Sequence, residues 1–283
     1  MIHTMPTIHP TALVSPTARL ADDVVIGPGA IIEDDVVIGP GTRVGAYSIV
    51  HRFTTLGARN VLDVHVALGG WPQDLKFDPE ARTYLRIGDA NVFREFVTIS
   101  RATTPEGATI VGNRTYWMTG SHAGHDSVIE DDVILVNGTA LAGHVHMGRG
   151  CVFSAHAAMH QFCWVGELVM CQSCAGATMH VPPFVTLGRR INLVVGLNIV
   201  GMRRSPDITV EDRRQVKEAF NILYRSGTTM TAALERMESC TNWGGPASRF
   251  REFVRKALNA KKPYNRGIVP LLHRRGTLMS EGE

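Results

Sequence analysis

Leu, Ile or Val recurs at every sixth position from Ile8 through Val14, Leu20, Ile26, Ile32, Ile38, Val44, Val50, Leu56 and Leu62 to Leu68. A second run on the same step goes from Val111 through Trp117, Ala123, Ile129, Leu135, Leu141, Met147, Phe153, Met159, Val165 and Cys171 to Ala177, and Ile87, Phe93 and Ile99 keep the step between the runs. A period of six fits neither an amphipathic helix, at 3.6, nor an alternating strand, at 2. It fits short strands with one inward apolar residue each, joined by tight turns, three strands closing a triangular coil of 18 residues. Gly often follows the apolar residue, as in Ile26-Gly27, Ile38-Gly39, Leu56-Gly57 and Val165-Gly166. With the Asn and Asp positions it supplies turn conformations that other residues resist. The pattern predicts a mainly β chain, a parallel β-helix of hexapeptide repeats over residues 1–204. The step breaks at 69–86 and more briefly at 102–109, which reads as two loops expelled from the prism. Long loops on a rigid scaffold are where function collects.

Past Arg204 the periodicity becomes helical. Thr209 with Asp212 resembles a capping box, Val216, Ala219, Phe220 and Leu223 follow at helical spacing, and Gly227 stands where a C-cap belongs. A weaker helix is expected over 231–239 and a third over 246–258. Residues 260–283 lack a period and are expected to form a mobile tail. Residues 205–283 thus read as a small α-helical C-terminal domain.

The 283 residues are 44% hydrophobic and 19% charged, which excludes disorder and collagen. No window holds ~18 consecutive apolar residues, so no membrane span is expected. The start, MIHTMPTIHP, lacks a basic stretch followed by an apolar one, so no signal peptide is read. Five Cys without paired spacing point to reduced thiols and a cytoplasmic protein, and Cys151, Cys163 and Cys171 fall on inward positions. Net charge is +3 but uneven: residues 1–204 carry 15 Lys/Arg against 17 Asp/Glu, and residues 205–283 carry 14 against 9. The basic C-terminal part suggests an acidic partner, with a solvated helical surface as the plainer alternative.

An 18-residue coil stacks residues i and i+18 about 4.8 Å apart. His125 then lies on Gly143 and Gly143 on Gln161, while Asp126 lies on His144 and His144 on Phe162. His125, two residues after the inward Ala123, is placed outward at a turn. The missing side chain of Gly143 is expected to leave room for a substrate beside the imidazole, with the Gly143 N–H facing a developing oxyanion. Asp126 is placed to hold the imidazole tautomer. Such a group suits a general base and needs no side-chain nucleophile. Two alternatives are histidines that merely decorate a prism face, and a three-histidine zinc site drawn from His122, His125, His144, His146, His156 and His160. The flanking Asp and Gly fit acid–base chemistry better, so no metal is expected.

Beyond these patterns stand PQDLK at 72–76, IGDANVFREFVTI at 87–99, GSHAGHD at 120–126, LAGHV at 141–145, HQFC at 160–163, VPPFV at 181–185, GLNIVGMRR at 196–204 and LYRSG at 223–227. In this order they resemble the UDP-N-acetylglucosamine 3-O-acyltransferases of lipid A biosynthesis, over nearly the whole chain to about residue 258. The resemblance implies a left-handed coil and a homotrimer with active sites between subunits. It implies transfer of a fatty acyl group, usually 3-hydroxylated, from the phosphopantetheine thioester of acyl carrier protein to the glucosamine 3-position of the UDP-sugar. No other cofactor and no nucleic acid are implied. Carried over by motif, His125 is the general base, Asp126 its orienting partner and Gly143 the oxyanion donor. Asp74, Lys76, His122, His144, His160 and Gln161 contact substrates, and Asn198 and Arg204 bind the nucleotide or the phosphopantetheine.

Three positions depart from the family, which usually has His at Ser100, Glu at Val200 and Arg at Ser205. Gln172-Ser173 replaces a frequent Gly-Gly, so Ser173 is expected to help set acyl chain length. Three further readings remain beside the leading one: a related acyltransferase acting on another amino-sugar nucleotide, a γ-carbonic-anhydrase-like metalloenzyme, and a scaffold without catalysis.

Overall fold

The computed structural model describes residues 5–272. Short strands wind into a parallel β-helix of three sheets, with eleven, nine and eight strands. The first sheet begins at Thr7–Ile8, the second at Leu13–Val14 and the third at Arg19–Leu20. Successive strands visit the sheets in turn, so each strand pairs with the one a coil away, as in Ala123↔Leu141 and Leu141↔Met159.

The six-step residues fill the prism. Ile26, Ile32, Ile38, Val44, Val50, Leu56, Leu62 and Leu68 are all buried. A second buried row lies two residues earlier and is partly polar. In it Asn60 and Asn91 join Thr42 and Thr115 in a ladder: Asn91 Nδ2 donates to Asn60 Oδ1 at 3.0 Å, and Thr115 Oγ1 donates to Asn91 Oδ1 at 2.7 Å. In this ladder every side-chain amide and hydroxyl finds a partner, which is what burial of such groups requires. Cys151, Cys163 and Cys171 are buried free thiols, and burial pushes Cys163 up to about 11 and Cys171 up to about 12.

The expelled loops are shorter than the sequence suggests. Strands Ala67–Gly70 and Tyr84–Ile87 take the ends of the first, leaving 71–83, and Thr98–Ser100 and Ala108–Val111 confine the second to 101–107. A strand extends as far as a neighbouring coil offers backbone partners, and the side-chain step does not report that. Both loops leave the corner between the second and third sheets.

The regular coil also ends before residue 204. Val185–Leu187 and Val194–Leu197 form an antiparallel pair that closes the first sheet. Helix α1, Ile199–Arg204, follows, so helical structure begins at 199 rather than 205. Helices α2 (Val210–Arg225), α3 (Met230–Glu238) and α4 (Gly245–Leu258) then pack together through Val216, Phe220, Met237, Phe250 and Val254. The Thr209–Asp212 capping box opens α2, and Gly227 lies just past its C-cap with φ +72°. The helices are tied to the coil by Glu167, which is 8% exposed and bonded to Arg149 of the coil and Arg249 of α4.

The expected mobile tail is corrected for 260–272. This segment lies along the coil: His180 donates its N–H to the Gly267 carbonyl, and the Val269 N–H donates to His180. The Val194 N–H donates to Pro270, the Tyr224 hydroxyl donates to the Val269 carbonyl, and Val269 is fully buried. Its bonding is to distant backbone, which leaves no local period to read. Residues 273–283 lie outside the described residues.

Candidate active site

Three consecutive turns at the second–third corner bring Asp126, His144 and Phe162 to left-handed backbone with φ of 58°, 59° and 63°. The identical conformation aligns their side chains up one edge. His144 stacks on Phe162 with ring centroids 4.5 Å apart, and the His125 and His144 rings meet edge to face at 5.2 Å. The loops at 71–83 and 101–107 flank this same edge.

His125 Nδ1 is 2.7 Å from Asp126 Oδ2, and both side chains are 13% exposed. A carboxylate only accepts, so the proton sits on Nδ1 and Nε2 carries the lone pair. Asp126 also accepts from the Thr103 hydroxyl at 2.7 Å and from the Thr103 N–H, while His144 Nε2 lies 3.6 Å away. Burial works to raise the Asp126 carboxyl, yet the hydrogen bonds from His125 and Thr103 outweigh it and hold it below the usual carboxylate range. Burial pushes His144 and His122 down, toward neutral imidazoles. Thr103 is a site residue that the sequence reading missed, and its position in an expelled loop at this corner was the available signal.

Gly143 has a different reason from the one expected. A Cβ there would stand 2.7 Å from both His125 Cε1 and Nε2, so the space is filled by the imidazole itself. The Gly143 N–H donates to no group among the described residues. A free amide donor beside the His125 ring can face a developing oxyanion.

His125, Asp126 and His144 offer atoms within 4.8 Å of one another, close enough to suggest a cation. The Asp126 oxygen that faces both imidazoles already accepts from His125 and Thr103, so their own hydrogen bonds occupy the set. The arrangement fits proton transfer better than metal binding.

The remaining predicted residues fall into two groups. His122, hydrogen-bonded to Thr98 Oγ1 at 2.8 Å, and His160 line a groove of about 580 Å³ on the second sheet, with Gln73, Ala140, Ala158, Cys174, Gly176 and Ile191. His122, Ala140, Ala158 and Gly176 are successive pairing partners, so small residues floor a trough leading away from His122. Gln161 is exposed on the turn above Gly143. Asp74 and Lys76 are exposed in the 71–83 loop, and Asp74 is near enough to His144 to favour its charged form. Ser173 is exposed and does not line the trough; Cys174 does.

Asn198 and Arg204 stand elsewhere, on a cavity of about 690 Å³ over the outer face of the first sheet. In a three-sided prism that face is opposite the second–third corner. The Asn198 side chain caps α1, accepting from the Gly201 N–H at 2.9 Å and donating to the Leu168 carbonyl at 2.8 Å. Of the departures, Val200 is 58% exposed in this cavity and the Ser205 hydroxyl donates to Asp207, whereas Ser100 is buried beside the second–third corner.

Known proteins resemble this chain along most of its length. Residues 180–269 match the family described as "Udp N-acetylglucosamine O-acyltransferase; Domain 2", and residues 17–52 match "Bacterial transferase hexapeptide (six repeats)". A relative from Thiobacillus denitrificans, named acyl-[acyl-carrier-protein]–UDP-N-acetylglucosamine O-acyltransferase, is 44% identical over 94% of this chain and 100% of its own. One of the same name from Stenotrophomonas maltophilia is 41% identical over 91% of this chain and 98% of its own. The crystal structure of UDP-N-acetylglucosamine O-acyltransferase from Moraxella catarrhalis superposes with a TM-score of 0.85 at 32% identity, covering 93% of this chain and 99% of that one. With this fold, this corner and relatives matched along almost their whole length, the chain belongs to the acyl-[acyl-carrier-protein]–UDP-N-acetylglucosamine O-acyltransferase family.

Proposed function

We propose that this protein transfers a fatty acyl group from the thioester of acyl carrier protein to the 3-hydroxyl of UDP-N-acetylglucosamine, the first step of lipid A biosynthesis. The observation that carries the reading is the His125 imidazole, oriented by Asp126 over the Gly143 amide; His122 heads an apolar trough on the adjoining second sheet. His125 Nε2 takes the proton from the sugar hydroxyl as its oxygen attacks the thioester carbonyl. The Gly143 N–H stabilises the oxyanion. Collapse breaks the C–S bond and releases the carrier thiol, which regains the proton. The acyl chain lies in the trough over Ala140, Ala158 and Gly176, and Asp74, Lys76, His122, His160 and Gln161 surround the sugar.

The placement of Arg204 supports a homotrimer with composite sites. Arg204 and the His125 corner lie on opposite sides of one prism, so one substrate meets both only if a second copy brings its first sheet to the corner. The edge between the first and second sheets carries an exposed stack, Tyr47–His65–Phe96, with centroids 5.5 and 5.3 Å apart. Copies meeting along those two sheets would cover it. Among the described residues no helix is long and apolar enough to cross a membrane; a cytoplasmic reaction is proposed from the unpaired cysteine spacing.

Mass spectrometry of acyl-carrier thioester with UDP-N-acetylglucosamine tests the reading. A base-labile ester product is expected, and His125→Ala should lose ~10²–10⁴-fold in turnover. Failure of wild type to acylate this sugar, or more than half the rate left in the variant, would overturn it.

A further inference from the structure

The segment 260–272 reaches the catalytic corner. His180, fully buried, accepts the Trp164 N–H on Nδ1 at 3.0 Å, so its proton is on Nε2. That Nε2–H donates to the Tyr264 carbonyl at 2.6 Å and fixes Tyr264 against the coil. The Tyr264 ring meets Phe162 edge to face at 5.4 Å and stacks on Trp164 at 5.4 Å. Arg266 lies over the other aromatic partner, 5.8 Å from the Phe162 centroid. Phe162 in turn stacks on His144, whose Nε2 is 3.6 Å from Asp126. The chain of contacts from Tyr264 to the His125–Asp126 pair is continuous.

We propose that Tyr264 is a positioning residue for acyl transfer: through Phe162 it holds the His144 ring against Asp126 and keeps water from that side of the pair. This rests on the reading of His125 as the base. Aromatic pairs contribute ~0.5–1.5 kcal/mol beyond the area they bury, enough to select one ring orientation. The effect requires the ring and not the hydroxyl. Tyr264 also lies between the catalytic corner and α4, whose Lys256 stands 4.1 Å from the Trp164 centroid, so the corner and the helices share this aromatic cluster.

The test compares Tyr264→Phe, Tyr264→Leu and Tyr264→Ala in the full chain by kcat, KM for the sugar, and NMR titration of the His144 ring. Tyr264→Phe should match wild type. Tyr264→Leu, which keeps apolar bulk in case Ala loosens the segment, should lose about tenfold in kcat at near-constant KM, since small displacements of catalytic groups cost that much or more. The His144 titration should move up in both Leu and Ala variants, because burial is the largest influence on this ring and its relief outweighs any weakened attraction to Asp126, with His125 and Asp74 the other charges facing it. Wild-type kcat in the Leu variant, or a lowered kcat with the His144 titration unmoved, would overturn the proposal. His125→Ala separates the two readings: if it stays active the base is misassigned, while the His144 titration still reports on Tyr264.

Discussion

At the scale of single residues, Asp126 shows how a buried carboxylate is kept charged. One of its oxygens serves both His125 and Thr103, and both Thr103 donors point at it. Its folded value lies below the ordinary ~3.9, so its stabilisation is complete above that pH and is lost as pH falls through the folded value. Thr103→Val, which removes the hydroxyl donor, should therefore cost ~1–2 kcal/mol at neutral pH and progressively less below about pH 4. Denaturant melts of both proteins at pH 7 and pH 3 measure it; an equal difference at both would show that Thr103 does not act on the carboxylate. Arg101, two residues earlier, is a less comfortable case. Its guanidinium is buried between the Phe53 and Phe77 rings, and Nε and Nη1 have no acceptor. Burial pushes it down, as expected for a charge without a close counter-ion.

At the scale of elements, the repeated turn and the paired strand divide the work. Turns present polar side chains along an edge, while strands present a flat wall whose depth depends on outward residue size. His122, Ala140, Ala158 and Gly176 give a trough about 14 Å long at the strand spacing of ~4.8 Å. Ala158→Leu should fill its middle and shift preference to shorter acyl chains, each displaced methylene being worth ~0.8 kcal/mol or several-fold in rate. Competition between acyl-carrier thioesters of different length measures the shift. Because Ser173 faces solvent outside the trough, Ser173→Gly should leave the length profile unchanged; a profile that responds to Ser173 and not to Ala158 would relocate the ruler.

For the whole molecule, the helical unit is where charge remains available to a partner. Several basic residues that look free in the sequence are committed: Arg249 to buried Glu167, Arg251 to the Cys240 carbonyl, and Arg255 to Glu238 and Glu252. Arg214 is likewise paired with Glu211, but Lys217 and Arg236 have no acidic partner among the described residues, and with Arg225 and Glu218 they line an open groove between α2 and α3. We predict that the acyl carrier docks on this groove through its acidic side chains. Lys217→Glu with Arg236→Glu should raise KM for the acyl carrier at least several-fold and flatten its salt dependence, because exposed charges are screened within ~10 Å at 0.1 M salt. Titrations at low and moderate salt decide it, and an unchanged KM would place the docking surface elsewhere.

The six-residue step, the capping box of α2 and the stacking of His125 over Gly143 are local or strictly periodic, and the chain alone determined them. A coil of fixed length converts sequence separation into distance, so contacts eighteen residues apart were legible before any coordinates. Where a segment leaves that lattice, separation no longer reports position. Only the tertiary structure placed Thr103 on Asp126, 23 residues apart through an expelled loop. It alone brought Tyr264 to His180, 84 residues away, set Arg249 on Glu167, and put Arg204 on the face opposite His125. Those contacts follow from which surfaces bury apolar area against each other, and burial of that kind has no period along the chain.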